Sequence, residues 1–408
     1  MKRVSLLPEV LILGAFSFPE GCAASNNLRG HVRAIQSAGL SVGLLADQSK
    51  GREADKQPDG SFAYCGIPYW VVRRVHPYPH LHRLLNILLA WRDDHLTWVA
   101  ERRPLAGVKA ILVYPSTSRT VPLILRLRNL CRRHNIKLFI YVVEWHEPER
   151  YGMRWGVLGR ADGEVQRRWV NPRLHGVLCI SEYLQAYYRA KGVRTALLPP
   201  LLDLSDAMWT PLASRPEPMR NGKLKIIFSG SPIRERHDLI LRAVLEARCH
   251  GTDVVLEYLG CTRDAIATMR GVGEDLLQQM GDGVRFFGWV PFEALTGILA
   301  SASFGLLFRE DSKWSKACFP SKVPEFLALG VPLLCNITSD LHQYLKDGVN
   351  ALIASELSVD CLAATLRRAS TLTTEHYQQM RAAARTTAQA FDGRRFGQTY
   401  RDLLVQSA

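Results

Sequence analysis

FPSKVPEFLALGVPLL, residues Phe319 to Leu334 of a 408-residue chain, holds in immediate succession a loop, a short helix, a glycine stop and an apolar strand. Ser321 stands where a helix N-cap belongs, Gly330 where a helix C-terminus takes a left-handed residue, and Pro332 cannot continue the helix. The expected helix therefore runs from about Lys322 to Leu329. An anion against its first turn would meet free backbone N–H groups and the positive end of the helix dipole, and Lys322 adds a full charge there. Glu325 follows three residues on, on the same face. A carboxylate about one turn beyond a phosphate is placed to accept the two hydroxyls of a ribose. Phosphate and then ribose describes a nucleotide. The alternative is an ordinary capped helix with a Lys–Glu pair on its surface.

Outward from this stretch the chain alternates strands and helices. At 408 residues it exceeds one ordinary core and suits two α/β domains of near-equal size, and its 47% apolar content is that of a globular protein. Strand Val10–Phe16 leads through a loop containing Gly21 to helix Asn27–Ala38, a stop at Gly39 and strand Ser41–Ala46. Residues 48–66 are polar and rich in turn residues, and are placed as a surface excursion. Arg73, Arg74, His76, His80, His82 and Arg83 then precede LLNILLAW, an apolar helical run suited either to a core or to a membrane interface. Strand Ala110–Tyr114, helix Val121–His134 and strand Lys137–Val143 restore the alternation, as expected of a doubly wound sheet.

Glu144-Trp145-His146-Glu147-Pro148 follows the last of these strands, at the edge where open α/β sheets bind ligands. Trp155, Arg167, Arg168 and Trp169 mark a basic-aromatic segment that suits stacking on sugar rings or packing within the fold. Strand Val177–Ser181, a helix from Glu182 and Leu197-Leu198-Pro199-Pro200 close the first half, and a polar, Pro-rich linker from Asp203 to Gly222 marks the boundary. The second half restarts with strand Leu224–Ser229, a loop from Gly230 through Arg234 and Arg236, and a helix to about His250. Strand Val254–Leu259, the run Val284 to Pro291 and strand Ala302–Phe308 continue it.

PSKVPEFLALGVPLL resembles the C-terminal signature of the group 1 (family four) retaining glycosyltransferases, whose commoner form reads P-x-K-x-x-E-[YF]-L-A-x-G-x-P. The order and spacing match; the N-terminal half resembles the family in pattern more than in letters. The resemblance implies an α/β fold of GT-B type, two doubly wound Rossmann-like domains facing across a cleft. Residues 1–205 would form the acceptor side and 222–390 the nucleotide-sugar side, with the last helix, about 394–405, crossing back. It implies that Glu325 holds the donor ribose, in agreement with the reading of the helix start that puts Ser321 and Lys322 at the phosphate. Gly230 and a basic residue, Arg234 or Arg236, would wrap the diphosphate, a task that suits the guanidinium fork. Gly288 and Trp289 would frame the nucleobase, Gly21 would let backbone approach donor and acceptor, and His146 and Glu144 would stand near the transferring sugar.

The activity so implied is retaining, metal-independent transfer of a sugar from a nucleotide-sugar donor to a glycan or lipid-diphosphate-linked acceptor in cell-surface polysaccharide biosynthesis. The sugar nucleotide is then a substrate, and no cofactor is expected. No D-x-D triplet occurs in the chain, in keeping with neutralisation of the diphosphate by Arg, Lys and a helix N-terminus. One departure stands out: many members carry a further Glu eight positions before Glu325, where this chain has Ala317. A catalytically silent binding subunit, or a sugar-nucleotide epimerase or hydrolase of the same architecture, is the alternative.

The net charge of +14 lies entirely in residues 1–200, with 29 Lys+Arg against 15 Asp+Glu, while residues 201–408 hold 23 of each. Such a field fits an anionic partner on the first half. Nucleic acid, a phospholipid surface and a lipid diphosphate all qualify by charge; beside the resemblance, no nucleic acid is expected and an anionic membrane surface is. Arg-rich codon usage is the bland alternative. Nine cysteines without C-x-x-C spacing fit reduced thiols in a cytoplasmic protein, without a structural metal. The N-terminal VLILGAFSF loosely imitates a signal peptide, but Pro8 and Glu9 break the run and its length suits a buried first strand. No segment has the length of a membrane span. The expected location is the cytoplasm, peripheral on the inner face of the cell membrane.

Overall fold

The structure, a computed structural model, describes residues 7–19, 23–47, 51–72, 93–101, 105–114, 121–145, 160–210 and 223–405. The chain folds into two compact units. One comprises Met1–Asp203, Ala317–Phe319 and Gly393–Ala408, the other Leu204–Lys316 and Pro320–Asp392.

In chain order the first unit contains β1 (Val10–Gly14), α1 (Ala23–Ser37), β2 (Val42–Ala46), β3 (Phe62–Tyr64), β4 (Ile67–Val71), α2 (Asp94–Glu101), β5 (Ala110–Val113), α3 (Val121–Arg133), β6 (Lys137–Val142), β7 (Gly176–Cys179), α4 (Glu182–Arg189) and β8 (Thr195–Leu197). They form one sheet in the order β3-β4-β2-β1-β5-β6-β7-β8, parallel except for β3. β1, β2, β5 and β7 are buried at every position, as strands covered on both faces must be. Ser181 caps α4 through its hydroxyl, which accepts from the Leu184 N–H.

Two expectations need correction here. The excursion 48–66 is not all loop, because its end enters the sheet. β3 and β4 make a hairpin across Cys65 (φ 49°) and Gly66 (φ 74°), and β4 pairs in parallel with β2, Leu44 opposite Tyr69. Two consecutive positive φ values make the two-residue turn whose twist matches that of the strands, and the Gly in that turn was the readable signal. Helix α1 also begins at Ala23 instead of Asn27. Asn27 is no boundary marker: its amide donates to the Tyr114 hydroxyl and its carbonyl accepts from Leu201 N–H, so its polarity is satisfied inside the unit.

The second unit contains β9 (Leu224–Ser229), α5 (His237–Cys249), β10 (Val254–Leu259), α6 (Arg263–Ala267), α7 (Gly273–Met280), β11 (Val284–Phe286), α8 (Phe292–Ala300), β12 (Phe304–Leu307), α9 (Lys313–Ala317), α10 (Lys322–Ala328), β13 (Leu333–Cys335), β14 (Ala351–Ile353), α11 (Val359–Ser370) and α12 (Thr374–Ala388). The sheet order is β11-β10-β9-β12-β13-β14, wholly parallel. Strand order reverses between β9 and β12. In an open α/β sheet that reversal opens a crevice at the carboxyl ends of the two strands.

Helix α10 approaches the sheet closely because Gly305 of β12 has no side chain. A Cβ there would stand 2.6 Å from the ring of Phe326. The last helix, α13 (Gly397–Val405), follows a tight turn at Gly393–Phe396 and packs on α1 of the first unit. Tyr400 Oη lies 2.6 Å from His31 Nδ1, both fully buried. Among the described residues no helix is long and apolar enough to cross a membrane.

Candidate functional site

Three successive strands of the second unit each end in a left-handed glycine. Gly230 (φ 119°) follows β9, Gly260 (φ 83°) follows β10, and Gly288 (φ 59°) lies two residues past β11. They lie in a row: Gly230 N–H donates to Leu259 O, Gly260 N–H donates to Gly288 O at 2.7 Å, and a Cβ on Gly260 would stand 3.5 Å from the backbone of Gly230. L residues rarely adopt these torsions. The carboxyl edge of the sheet is thereby left as bare backbone, open to close approach by a ligand. The sequence reading does not single out Gly260; its place, one residue past an apolar strand, was the available signal.

Lys322 reaches this edge. Its Cε would lie 3.8 Å from a Cβ on Gly230, and its Nζ is 2.8 Å from Glu325 Oε2. The pair exists, but not as a surface pair, since the Glu325 side chain is 2% exposed and that of Lys322 21%. All of α10 beyond Lys322 is buried, so Glu325 shares the interior with Phe326 and Leu327. Gly330 takes its left-handed conformation (φ 69°), and Val331 N–H closes the helix on Phe326 O.

The entry to this helix differs from expectation. Ser321 (φ −60°, ψ −20°) already has helical torsions, and its hydroxyl caps nothing. An N-cap needs extended torsions to turn its side chain back on the first turn. Val323 N–H is taken by Pro320 O, and Pro324 has none to offer. The first turn thus has fewer free amides than expected, and Lys322 carries most of the positive charge there.

The loop after β9 separates its two arginines. Arg236 is gripped on two sides. Its Nε and Nη2 donate to both carboxylate oxygens of Asp238 (2.8 and 2.7 Å) and its Nη1 to Glu310 (2.8 Å), and the bonds to Asp238, the largest influence, push its pKa further up. It ties the β9 loop to the segment after β12. Arg234 instead lays its guanidinium over the indole of Trp314, 4.6 Å from the ring centroid. Between the two stands a buried pair that the sequence reading missed, Glu235 with Arg309 at 2.7 Å. Asn336 brackets the backbone of Arg309, accepting from its N–H and donating to its carbonyl. A charged residue just past an apolar strand was the sign of it. Trp289 is 76% exposed, so it is no lid on the core, and Phe287 and Ile233 of the same edge are 46% and 58% exposed.

On the first unit, Glu144 follows β6 half-buried. Trp145 is buried against the edges of Tyr183 and Tyr187, with the Arg167 guanidinium 4.3 Å from its ring. Arg167 is thereby a packed residue, whereas Trp169 is exposed. His146, Gly21 and Trp155 lie outside the described residues, as do Arg73, Arg74 and LLNILLAW. Among the described residues no group of His, Cys, Asp or Glu has the arrangement of a metal site.

No protein-family model matches the chain, and no curated protein sequence does. Solved structures do. HepE of Anabaena, crystallised with UDP and glucose, superposes with a TM-score of 0.66 at 15% identity, covering 98% of this chain and 100% of HepE. Sucrose-phosphate synthase from Thermosynechococcus elongatus gives a TM-score of 0.67 at 15% identity, covering 98% of this chain and 99% of that one. WaaG, a glycosyltransferase involved in lipopolysaccharide biosynthesis, gives 0.63 at 13% identity over 98% and 100%. At such identities the likeness is one of fold. The chain is of GT-B type, with two doubly wound Rossmann-like bodies.

Proposed function

We propose that the chain is a glycosyltransferase that binds a nucleotide-sugar donor on the carboxyl edge of its second unit. The observation that carries this reading is the Lys322–Glu325 pair, buried beside the bare backbone of Gly230 at the reversal of strand order. In the reading, Glu325 accepts the ribose hydroxyls, and Lys322 and Arg234 meet the diphosphate, stabilising the charge that builds on it as the glycosidic bond breaks. Arg236, already committed to two carboxylates, serves to hold the loop. Trp289 and Gly288 border the base. Glu144 and His146 are the candidates near the transferring sugar. Retention of configuration, metal independence, and a glycan or lipid-diphosphate acceptor in polysaccharide synthesis complete the proposal. Structures crystallised with UDP-glucose and with UDP-2-fluoro glucose share the fold, which supports a sugar nucleotide as the ligand.

The test is thermal stabilisation by UDP-, GDP- and dTDP-sugars, since a ligand that binds only the native state raises its stability by mass action. One donor class should stabilise the wild type. Glu325→Ala should lower kcat/KM for that donor by about tenfold or more, because losing a carboxylate that accepts two buried hydroxyls costs on the order of 2–4 kcal/mol. Wild-type donor kinetics in that variant would remove the reading. A second reading rests on Ala317, fully buried where many of the resembling enzymes carry a Glu. Tight donor binding without transfer to any acceptor would make the chain a binding subunit instead.

A further inference from the structure

β6 ends at Val142, whose carbonyl accepts from Ile180 N–H, and Glu144 and Trp145 follow it off the carboxyl edge of the first sheet. Trp145 is boxed in by side chains. The rings of Tyr183 and Tyr187, one turn apart on α4, stand at 73° and 83° to it, with centroids 5.9 and 5.1 Å away. The guanidinium of Arg167 lies over the indole, 4.3 Å from a ring centroid.

Arg167 reaches this place from an unusual turn. Residues 160–165 are α-helical, but Gln166–Val170 form a π turn, whose hydrogen bonds span one residue more than those of an α-helix. Gln166, Arg167 and Val170 are buried in it, while Arg168 and Trp169 are exposed. Burial is costly for Arg167. Its side chain is 5% exposed, one Nη donates to Glu164, a carboxylate that Arg168 also engages, and its Nε is buried without a hydrogen-bond partner. A methionine would cover the indole without a desolvated charge or an unmet N–H. What the guanidinium adds is a flat cation attracted to the face of the ring, which fixes the tilt of the indole as well as its depth.

Glu144 is the neighbour of this clamped residue. Its Cα lies about 3.8 Å from that of Trp145 across a trans peptide, so an indole held on three sides fixes where the Glu144 backbone stands. π turns inside helices are frequent at functional sites, and this one delivers a buried cation to the residue next to a candidate at the transferring sugar.

We propose that Arg167 is a positioning residue, which through Trp145 sets the placement of Glu144 for sugar transfer. The inference rests on the role proposed for Glu144, and the experiment separates the two.

The experiment measures nucleotide release at saturating UDP-glucose, GDP-mannose or dTDP-glucose, with water as the acceptor, so that the bond from the anomeric carbon to the diphosphate breaks and the sugar leaves free. Glu144→Ala should lower kcat on the order of a hundredfold. Arg167→Met should lower it about ten- to a hundredfold with donor KM unchanged, the larger figure being that of a misplacement of about 1 Å. Arg167→Lys keeps a cation over the ring and should recover most of the rate. The double variant Arg167→Met/Glu144→Ala should be no slower than Glu144→Ala, because a residue that acts only through Glu144 then has nothing to position. Arg167→Gln, which keeps a donor for Glu164, serves in place of Arg167→Met if that variant does not fold. Losses that multiply in the double variant, or a wild-type rate in the Arg167 variant beside a slow Glu144→Ala, overturn the proposal alone. A wild-type rate in Glu144→Ala, or no nucleotide release by the wild-type chain, overturns the reading of Glu144 and the proposal with it.

Discussion

The ammonium of Lys322 lies 2.8 Å from Oε2 of Glu325, three residues along one helix, and only a fiftieth of the Glu325 side chain is exposed. An exposed pair of this kind adds little stability, and a buried one often adds no more than apolar residues of the same size. The proposed donor site would account for its burial at the edge of a parallel sheet.

That account predicts a double-variant cycle. Lys322→Met takes the cation away from the buried carboxylate and should lower stability by about 3–5 kcal/mol in urea unfolding. Lys322→Met/Glu325→Leu should recover most of that stability, yet bind the donor at least about tenfold more weakly by calorimetry. Wild-type donor affinity in the double variant would make the pair purely structural.

Trp314 should matter through the face it offers Arg234, 4.6 Å away. A desolvated cation–π contact is worth about 1–2 kcal/mol, so Trp314→Leu, which keeps bulk without a ring, should raise donor KM about five- to thirtyfold. Trp314→Phe keeps a ring and should stay near wild type. If the two variants share one KM, Trp314 fills space and positions nothing.

Transfer activity should persist in excess chelator, because in the proposed function Lys322 and Arg234 supply the positive charge at the diphosphate. Loss of activity in EDTA, restored by manganese, would contradict that part of the reading.

Acid should destabilise the first unit through His31, whose pKa burial holds at about 3. Between pH 6.5 and that value the unfolded chain binds a proton that the native chain does not, so stability falls as pH falls, by up to about 1.4 kcal/mol per unit. His237 of the second unit, held at about 4 mainly by burial, acts in the same sense. Asp47, raised by burial to about 6, acts oppositely as it protonates, so the comparison must be between variant and wild type. His31→Gln should flatten the dependence of unfolding free energy on pH between 7 and 5. An unchanged slope would mean that His31 is not neutral by burial in the native protein.

The alternation of apolar runs and turn residues sufficed for two doubly wound sheets, because a strand covered on both faces must be largely apolar; β9 and β10 fall on the expected bounds. The left-handed stop at Gly330 and the closeness of Lys322 and Glu325 were readable for a similar reason, both following from local helix geometry. The hairpin β3–β4 went unread because its pairing depends on a turn of two residues with positive φ, one of them the non-glycine Cys65, at the end of a polar stretch. Other features joined residues far apart in the chain. That Arg236 reaches Glu310 while Arg234 stacks on Trp314, that Glu325 is buried, and that Gly230, Gly260 and Gly288 form one edge were decided by tertiary structure alone. Spacing along a helix or strand is set by backbone geometry within a few residues, whereas partners eighty or more positions apart, such as Arg234 and Trp314, meet only when the sheet order brings their loops to the same edge.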